Sequence, residues 1–194
     1  MTSIGRWLIP AVMFLGTSAF AAPITYFAVL NGPSEAPPNA SPGTGFATVT
    51  LDTAAHTLGV NVSFTGLVAG VTASHIHCCI TIPNGTAGVA TVTPTFTGFP
   101  SGVTAGTYSN IFDTSLASSW NPAYVTANGG TPLSAEAALA IGLAAGTSYL
   151  NIHSSTFPGG EIRGFLTAVP EPATLGLAGL ALAGMLLVRR RRTA

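Results

Sequence analysis

The chain has no lysine, only two cysteines, and few charges of any kind: 6% of its 194 residues are Asp, Glu, Lys or Arg. The cations it does have sit mostly at its ends. Between Pro23 and Val169, Arg163 stands alone against Glu35, Asp52, Asp113, Glu136 and Glu161, so the body is acidic although the whole chain is formally neutral. A lysine-free acidic body argues against nucleic acid as a partner, because neutralising phosphates takes clustered Lys and Arg. The same deficit argues against anionic headgroups and phosphorylated substrates. Catalytic signatures are missing too. There is no Gly-x-Ser-x-Gly elbow and no phosphate loop, and the carboxylates are too scattered to suggest a glycosidase pair. The residues therefore name no reaction, and the reading favours a non-enzymatic module.

What is present is β-forming. Thr and Val are abundant, and Gly and Pro interrupt the apolar runs at short intervals. In Thr57–Thr65, Leu58, Val60, Val62 and Phe64 alternate with Thr57, Gly59, Asn61, Ser63 and Thr65, the pattern of a strand with one face in a core. Gly45–Leu51 alternates in the same way. Further strands are expected at Ile24–Leu30, Val71–His77, Gly88–Thr93, Tyr108–Asp113, Ser148–His153 and Glu161–Ala168. Ser134–Leu143 reads as one short helix, capped by Ser134 and stopped by Gly146, and the Pro-rich stretch Asn31–Gly43 as an irregular loop. The expected fold is an all-β, Greek-key-like antiparallel β-sandwich with one short helix.

The two ends have a different character. Arg6, the apolar run Trp7–Leu15 and Ala19-Phe20-Ala21 have the layout of a secretory signal peptide, cleaved after Ala21 or Ala22. At the other end Pro170-Glu171-Pro172 precedes an uncharged stretch, Ala173–Val188, and then Arg189, Arg190, Arg191 and Arg192. As a helix that stretch is about 24 Å long, short of a ~30 Å hydrocarbon core, and the arginines behind it hold that end in the cytoplasm. This order of features resembles the PEP-CTERM sorting signal of Gram-negative bacteria. The resemblance implies an inner-membrane-anchored precursor with its body in the periplasm. It further implies processing by an exosortase-type enzyme, with Glu171 as a recognition residue, and delivery to the cell surface or the exopolysaccharide matrix. The expected division is a signal peptide over 1–22, a body over 23–168 and a sorting signal with a transmembrane helix over 169–194.

Three of the four histidines fall in two strand candidates. In Ser74-His75-Ile76-His77 the i, i+2 spacing puts His75 and His77 on one face, roughly 6.5–7 Å apart along the backbone. In Tyr149–His153, His153 shares a face with Tyr149 and Asn151. If the two strands lie together, three imidazoles gather, enough to hold Zn²⁺ or Cu²⁺ with one open position. A preformed site brings their nitrogens to about 3–4 Å of one another. The alternative is histidines that stack and hydrogen-bond without metal. His56, in a hairpin turn, reads as a surface residue. Cys78 and Cys79 offer a vicinal disulfide, an intermolecular bridge, or a thiolate of Cys79 beside the histidines that suits Cu(I). Glu161 and Arg163, after the Pro158-Gly159-Gly160 turn, read as an outward-facing pair, or as a group that draws an anion toward the histidines.

Thr44–Val49, Ala73–His77, Tyr149–His153 and Pro158–Gly164 together resemble the CHRD domain, named for chordin and also found in exported bacterial proteins. The resemblance implies a β-sandwich without an assigned activity. His75, His77, His153 and Arg163 are also distantly similar to the copper half of Cu/Zn superoxide dismutase, although the His/Asp set of its zinc half is missing. Two functions follow as expectations. The first is an exported surface or matrix module, and the second is a copper, zinc or redox protein built on the three histidines.

Overall fold

A computed structural model describes residues 22–80 and 85–170 of the chain. Residues 1–21 of the expected signal peptide and the positions Glu171 to Arg192 lie outside the described residues. Eight strands form one antiparallel sheet: β1 (Ile24–Asn31), β2 (Thr44–Asp52), β3 (Thr57–Thr65), β4 (Val71–His77), β5 (Gly106–Asp113), β6 (Tyr149–Ser154), β7 (Ile162–Phe165) and β8 (Thr167–Ala168). Their order is β4-β6-β7-β1-β2-β3-β5, with β8 paired to β1. The chain crosses from one end of the sheet to the other between β3 and β4, back to β5, and again to β6, the long returns of a Greek-key-like path.

The sheet curls on itself. Inward residues of one end, such as Val60, Phe64 and Phe112, join Ile76, Leu150 and Ile152 of the other in one buried cluster. That closes two layers over a single core, as a sandwich requires. β3 shows the cause at the level of sequence. Its four apolar residues are all buried, while Asn61, Ser63 and Thr65 between them are exposed.

The helical part lies between β5 and β6. A six-residue turn, α1 (Pro122–Ala127), precedes the thirteen-residue α2 (Pro132–Ala144). α2 starts before the expected Ser134. Thr131 is the cap, its hydroxyl accepting from Ser134 N, Pro132 takes the first turn, and Ser134 closes a capping box. The expected strand at Gly88–Thr93 forms only isolated bridges at Val89 and Thr91. There Ala90 N donates to Ile76 O, but Ile76 N donates to the Thr91 hydroxyl, so a side chain takes the ladder's place. This segment and its continuation cover the outer edge of β4 through Cys78 N to Gly88 O, Phe96 N to Ser74 O and Gly102 N to Val71 O. β5, at the opposite end, has no second strand neighbour among the described residues. The expected Glu161–Ala168 strand breaks at Leu166, which is buried and donates its N–H to Ser148 O.

Candidate metal centre

Strand pairing brings the three histidines together. In the β4–β6 ladder His77 lies opposite Tyr149, His75 opposite Asn151, and Ala73 opposite His153. With side chains alternating at period two, His75, His77, Tyr149, Asn151 and His153 share one face. One ring nitrogen from each histidine lies within 4.8 Å of the other two. The ring centroids are 5.1 Å apart for His75–His153, 5.6 Å for His75–His77 and 6.2 Å for His77–His153. Three bonds of ~2.1 Å at tetrahedral angles space donor atoms by about 3.4 Å, so a shared ion would draw these rings slightly inward.

Hydrogen bonds fix the proton on each ring. His75 donates from Nε2 to Pro94 O at 2.5 Å, His77 from Nδ1 to Ala87 O at 2.8 Å, and His153 from Nδ1 to Pro158 O at 2.8 Å. A carbonyl only accepts, so on His75 and His77 the bonded nitrogen carries the hydrogen and the opposite nitrogen of the neutral ring carries a lone pair. On His75 Nδ1 and His77 Nε2 those lone pairs are buried and meet no hydrogen-bond partner among the described residues. His153 differs: Nε2 lies 3.1 Å from Asn151 Oδ1, which also only accepts, so this ring meets an acceptor at each nitrogen and exposes a lone pair only when Asn151 turns away. Burial holds all three imidazoles toward the neutral form. It lowers His77 to about 4 and also lowers His75 and His153, with the neighbouring histidines adding to the shift of His75 and His77. Neutral rings, each hydrogen-bonded to a backbone carbonyl and with one nitrogen apiece within 4.8 Å of the others, have the chemistry of histidine ligands to a metal. His75 and His77 are buried and His153 half-buried, so the approach lies on the His153 side.

Arg163 and Glu161 are placed differently from the outward pair expected of them. Both are fully buried, at 1% and 0% exposure, because the loop before β2 and the segment after Cys79 cover their face. Arg163 stands opposite Asn151 on β6 and Asn31 on β1, in the same cross-strand row as His75. Its Nε donates to Ser34 O and its Nη1 to Gly85 O at 3.0 Å. Its guanidinium lies 4.7 Å over the Tyr149 ring, which stacks in parallel on His77 at 4.7 Å and meets Phe165 edge-on at 5.7 Å. The carboxylate that Arg163 meets is Glu35, 3.9 Å from Nε. Glu161 instead accepts from Ser41 Oγ and Val68 N, both at 2.6 Å, and ties two loops together.

Cys78 and Cys79 are joined to each other. β4 ends at His77, so Cys79 does not continue the histidine face, and its sulfur is committed to the disulfide. The two sulfurs pack on Gly142 of α2, where any added Cβ would overlap them. His56 is only partly exposed. In a left-handed conformation, φ 54°, it places Nδ1 3.0 Å from the buried carboxylate of Glu136, which Thr114 also reaches. Sequence reasoning missed Glu35, Tyr149 as a stacking partner, and the His56–Glu136 contact. An acid inside an otherwise uncharged Pro-rich loop was the available signal for Glu35.

No curated protein and no solved structure matches the chain. Residues 168–192 match the PEP-CTERM protein-sorting motif, which marks the protein for export and cell-surface sorting through an exosortase-type enzyme. No helix among the described residues is long and apolar enough to cross a membrane. Residues 26–166, which include β2 to β7, most of β1 and all three converging histidines, match the CHRD domain, and the chain belongs to that family.

Proposed function

We propose that the body of this exported protein binds one transition-metal ion, copper or zinc, through His75, His77 and His153. One observation carries the reading. Three imidazoles from paired strands each give their N–H to a backbone carbonyl, and nitrogens from all three lie within 4.8 Å of one another. Two buried lone pairs without a partner are costly in a dry strand face, and a cation is the natural occupant because imidazole suits both copper and zinc. Asn151, now against His153 Nε2, is the group the ion displaces. Three ligands leave one coordination position open toward the His153 side.

The rest of the proposal concerns place. The precursor spans 1–22 as signal peptide, 23–168 as binding body and 169–194 as sorting tail, anchored transiently in the inner membrane with its body in the periplasm. Processed protein then resides at the surface or in an exopolysaccharide matrix, where it acts as a binding module. The short uncharged stretch and terminal arginines support the transient anchor.

Elemental analysis of protein recovered from its own compartment tests the metal reading. Copper or zinc near one equivalent is expected, lost in the His75→Ala/His77→Ala double variant. Metal-free protein with a normal fold overturns it. Intact-mass measurement of the extracellular protein tests the tail, and finding Arg189–Arg192 still attached contradicts processing.

A further inference from the structure

A cavity of about 280 Å³ lies between the loop after β1 and the loop between β6 and β7. Pro37, Pro38, Phe157 and Pro158 give it apolar walls, and Glu35 and Gly160 also line it. Glu35 is 5% exposed. One of its carboxylate oxygens, Oε2, faces Arg163 at 3.9 Å, whereas Oε1 is buried without a hydrogen-bond partner among the described residues. That oxygen faces Gly160. A Cβ there would stand 2.6 Å from Oε1, and at φ 132° the position also strains any side chain, so a glycine keeps this side of the carboxyl clear.

The charge of Glu35 is only partly answered within the chain. Arg163 is the sole cation of the body; Ser34 O, Gly85 O and the ring of Tyr149 engage its guanidinium, while Nη2 has no hydrogen-bond partner among the described residues and makes none with Glu35. Burial raises Glu35 to about 7 against the opposing pull of Arg163, the mark of a carboxylate short of counter-charge. No lysine exists to fill the gap. A hard metal ion does not suit the cavity either: calcium takes six to eight oxygen ligands, and beside Glu35 only Asn39 and Thr156 of the lining carry side-chain oxygens, with Asn39 Oδ1 already accepting from Ser41 N. Apolar walls with one buried charged group are the pattern of a pocket for a small organic ligand, and this volume is at the small end of such pockets.

We infer that this cavity binds a compact organic ammonium ion, with Glu35 as its counter-charge and the proline and phenylalanine walls around its carbon frame. The site is independent of the metal reading, because it uses none of the three histidine side chains.

Full-length protein titrated with n-butylammonium and with glucosamine, followed by amide NMR, tests the inference. Saturable shifts are expected at Phe157, Gly159 and Gly160. The neutral counterparts n-butanol and N-acetylglucosamine should bind at least about tenfold more weakly, the loss of one charge-assisted hydrogen bond. Glu35→Gln should weaken the ammonium probes by a similar factor. Should that variant not fold, the charged-against-neutral contrast on the unaltered protein decides alone. Preference for glucosamine over n-butylammonium identifies a sugar amine as the natural ligand, and the reverse order an alkyl amine. Equal binding of charged and neutral probes, or no saturable shift, overturns the inference, and Glu35 then serves Arg163 only. Titration of the His75→Ala/His77→Ala variant keeps the two sites apart, since its ammonium binding should be unchanged whether or not metal is bound.

Discussion

The two ends of the curled sheet are built to different rules. In β2, β3 and β5 one face is buried and the other lies in water or partly in it, and the residues on the wet side are mostly Thr, Ser and Asn, with Asp52, Asp113, Gly59 and the isolated hydrophobics Phe46 and Ile111. In β6 and β7 both faces are covered: five of the six residues of β6 and three of the four of β7 are buried. The second buried face is polar. It carries His75, His77, Asn151 and Arg163, held by carbonyls of the loops above them. The first end is a wall, and the second is a wall with a furnished interior behind it. Both candidate sites draw on the loops that lie over the second end.

Truncation on the nominal outer face should expose the difference most strongly. Tyr149→Ala in β6 removes a 2% exposed ring, its stack on His77 and its contact with Arg163, and should cost about 3–5 kcal/mol. Ser63→Ala, on the exposed face of β3, should stay within about 0.5 kcal/mol. Denaturant unfolding of both variants measures this, and similar costs would dissolve the contrast between the ends.

Acid sharpens the comparison next. His77 is held neutral down to about 4 in the fold but takes up a proton near 6.5 when unfolded. The unfolded state therefore binds more protons between these values, and stability present above pH 6.5 is lost as the pH falls toward 4, by on the order of 3 kcal/mol. His75 and His153 act in the same direction. Glu35 acts oppositely. Raised from 4.5 to about 7, it is protonated in the fold while ionised in the unfolded chain, so its contribution is full below 4.5 and lost as the pH rises through 7. Melting temperature followed from pH 4 to 8 should rise more steeply over the lower half of that range in Glu35→Gln than in the parent. Parallel curves would remove Glu35 from the account.

Smaller effects belong to the helix. Gly142→Ala forces a methyl against both sulfurs of the disulfide and should cost about 1–3 kcal/mol by overpacking. His56→Ala leaves the buried Glu136 with Thr114 alone and should cost about 1 kcal/mol. Thermal unfolding ranks the two, and a larger loss at His56 would shift weight from the disulfide contact to the hairpin turn.

How much of this was legible depended on which end is considered. β3 and β4 could be bounded to the residue, because strict alternation or a turn residue on each side leaves no freedom of register. The convergence of His75, His77 and His153 needed only parity and one guess, that β4 and β6 pair. Parity says which residues share a side. It does not say whether a loop roofs that side. For that reason Arg163 and Glu161 were expected in water and are among the most buried groups in the molecule. Glu35 could be singled out as the lone acid of its loop, but its partners could not be read, since they depend on a loop meeting a turn more than a hundred residues away.

The covered edge of β4 and the open edge of β5 bear on how copies of this protein behave when crowded. An exposed ladder is an invitation to add a strand, and a molecule with two such ladders can polymerise without limit. Here the segment running from Gly88 to Gly102 occupies one ladder, leaving only β5 among the described strands at the ends of the sheet. Among the described residues, edge-to-edge association through the two ends of the sheet therefore terminates itself once β5 of one copy has met β5 of another. High local concentration can produce pairs by this route without producing fibres.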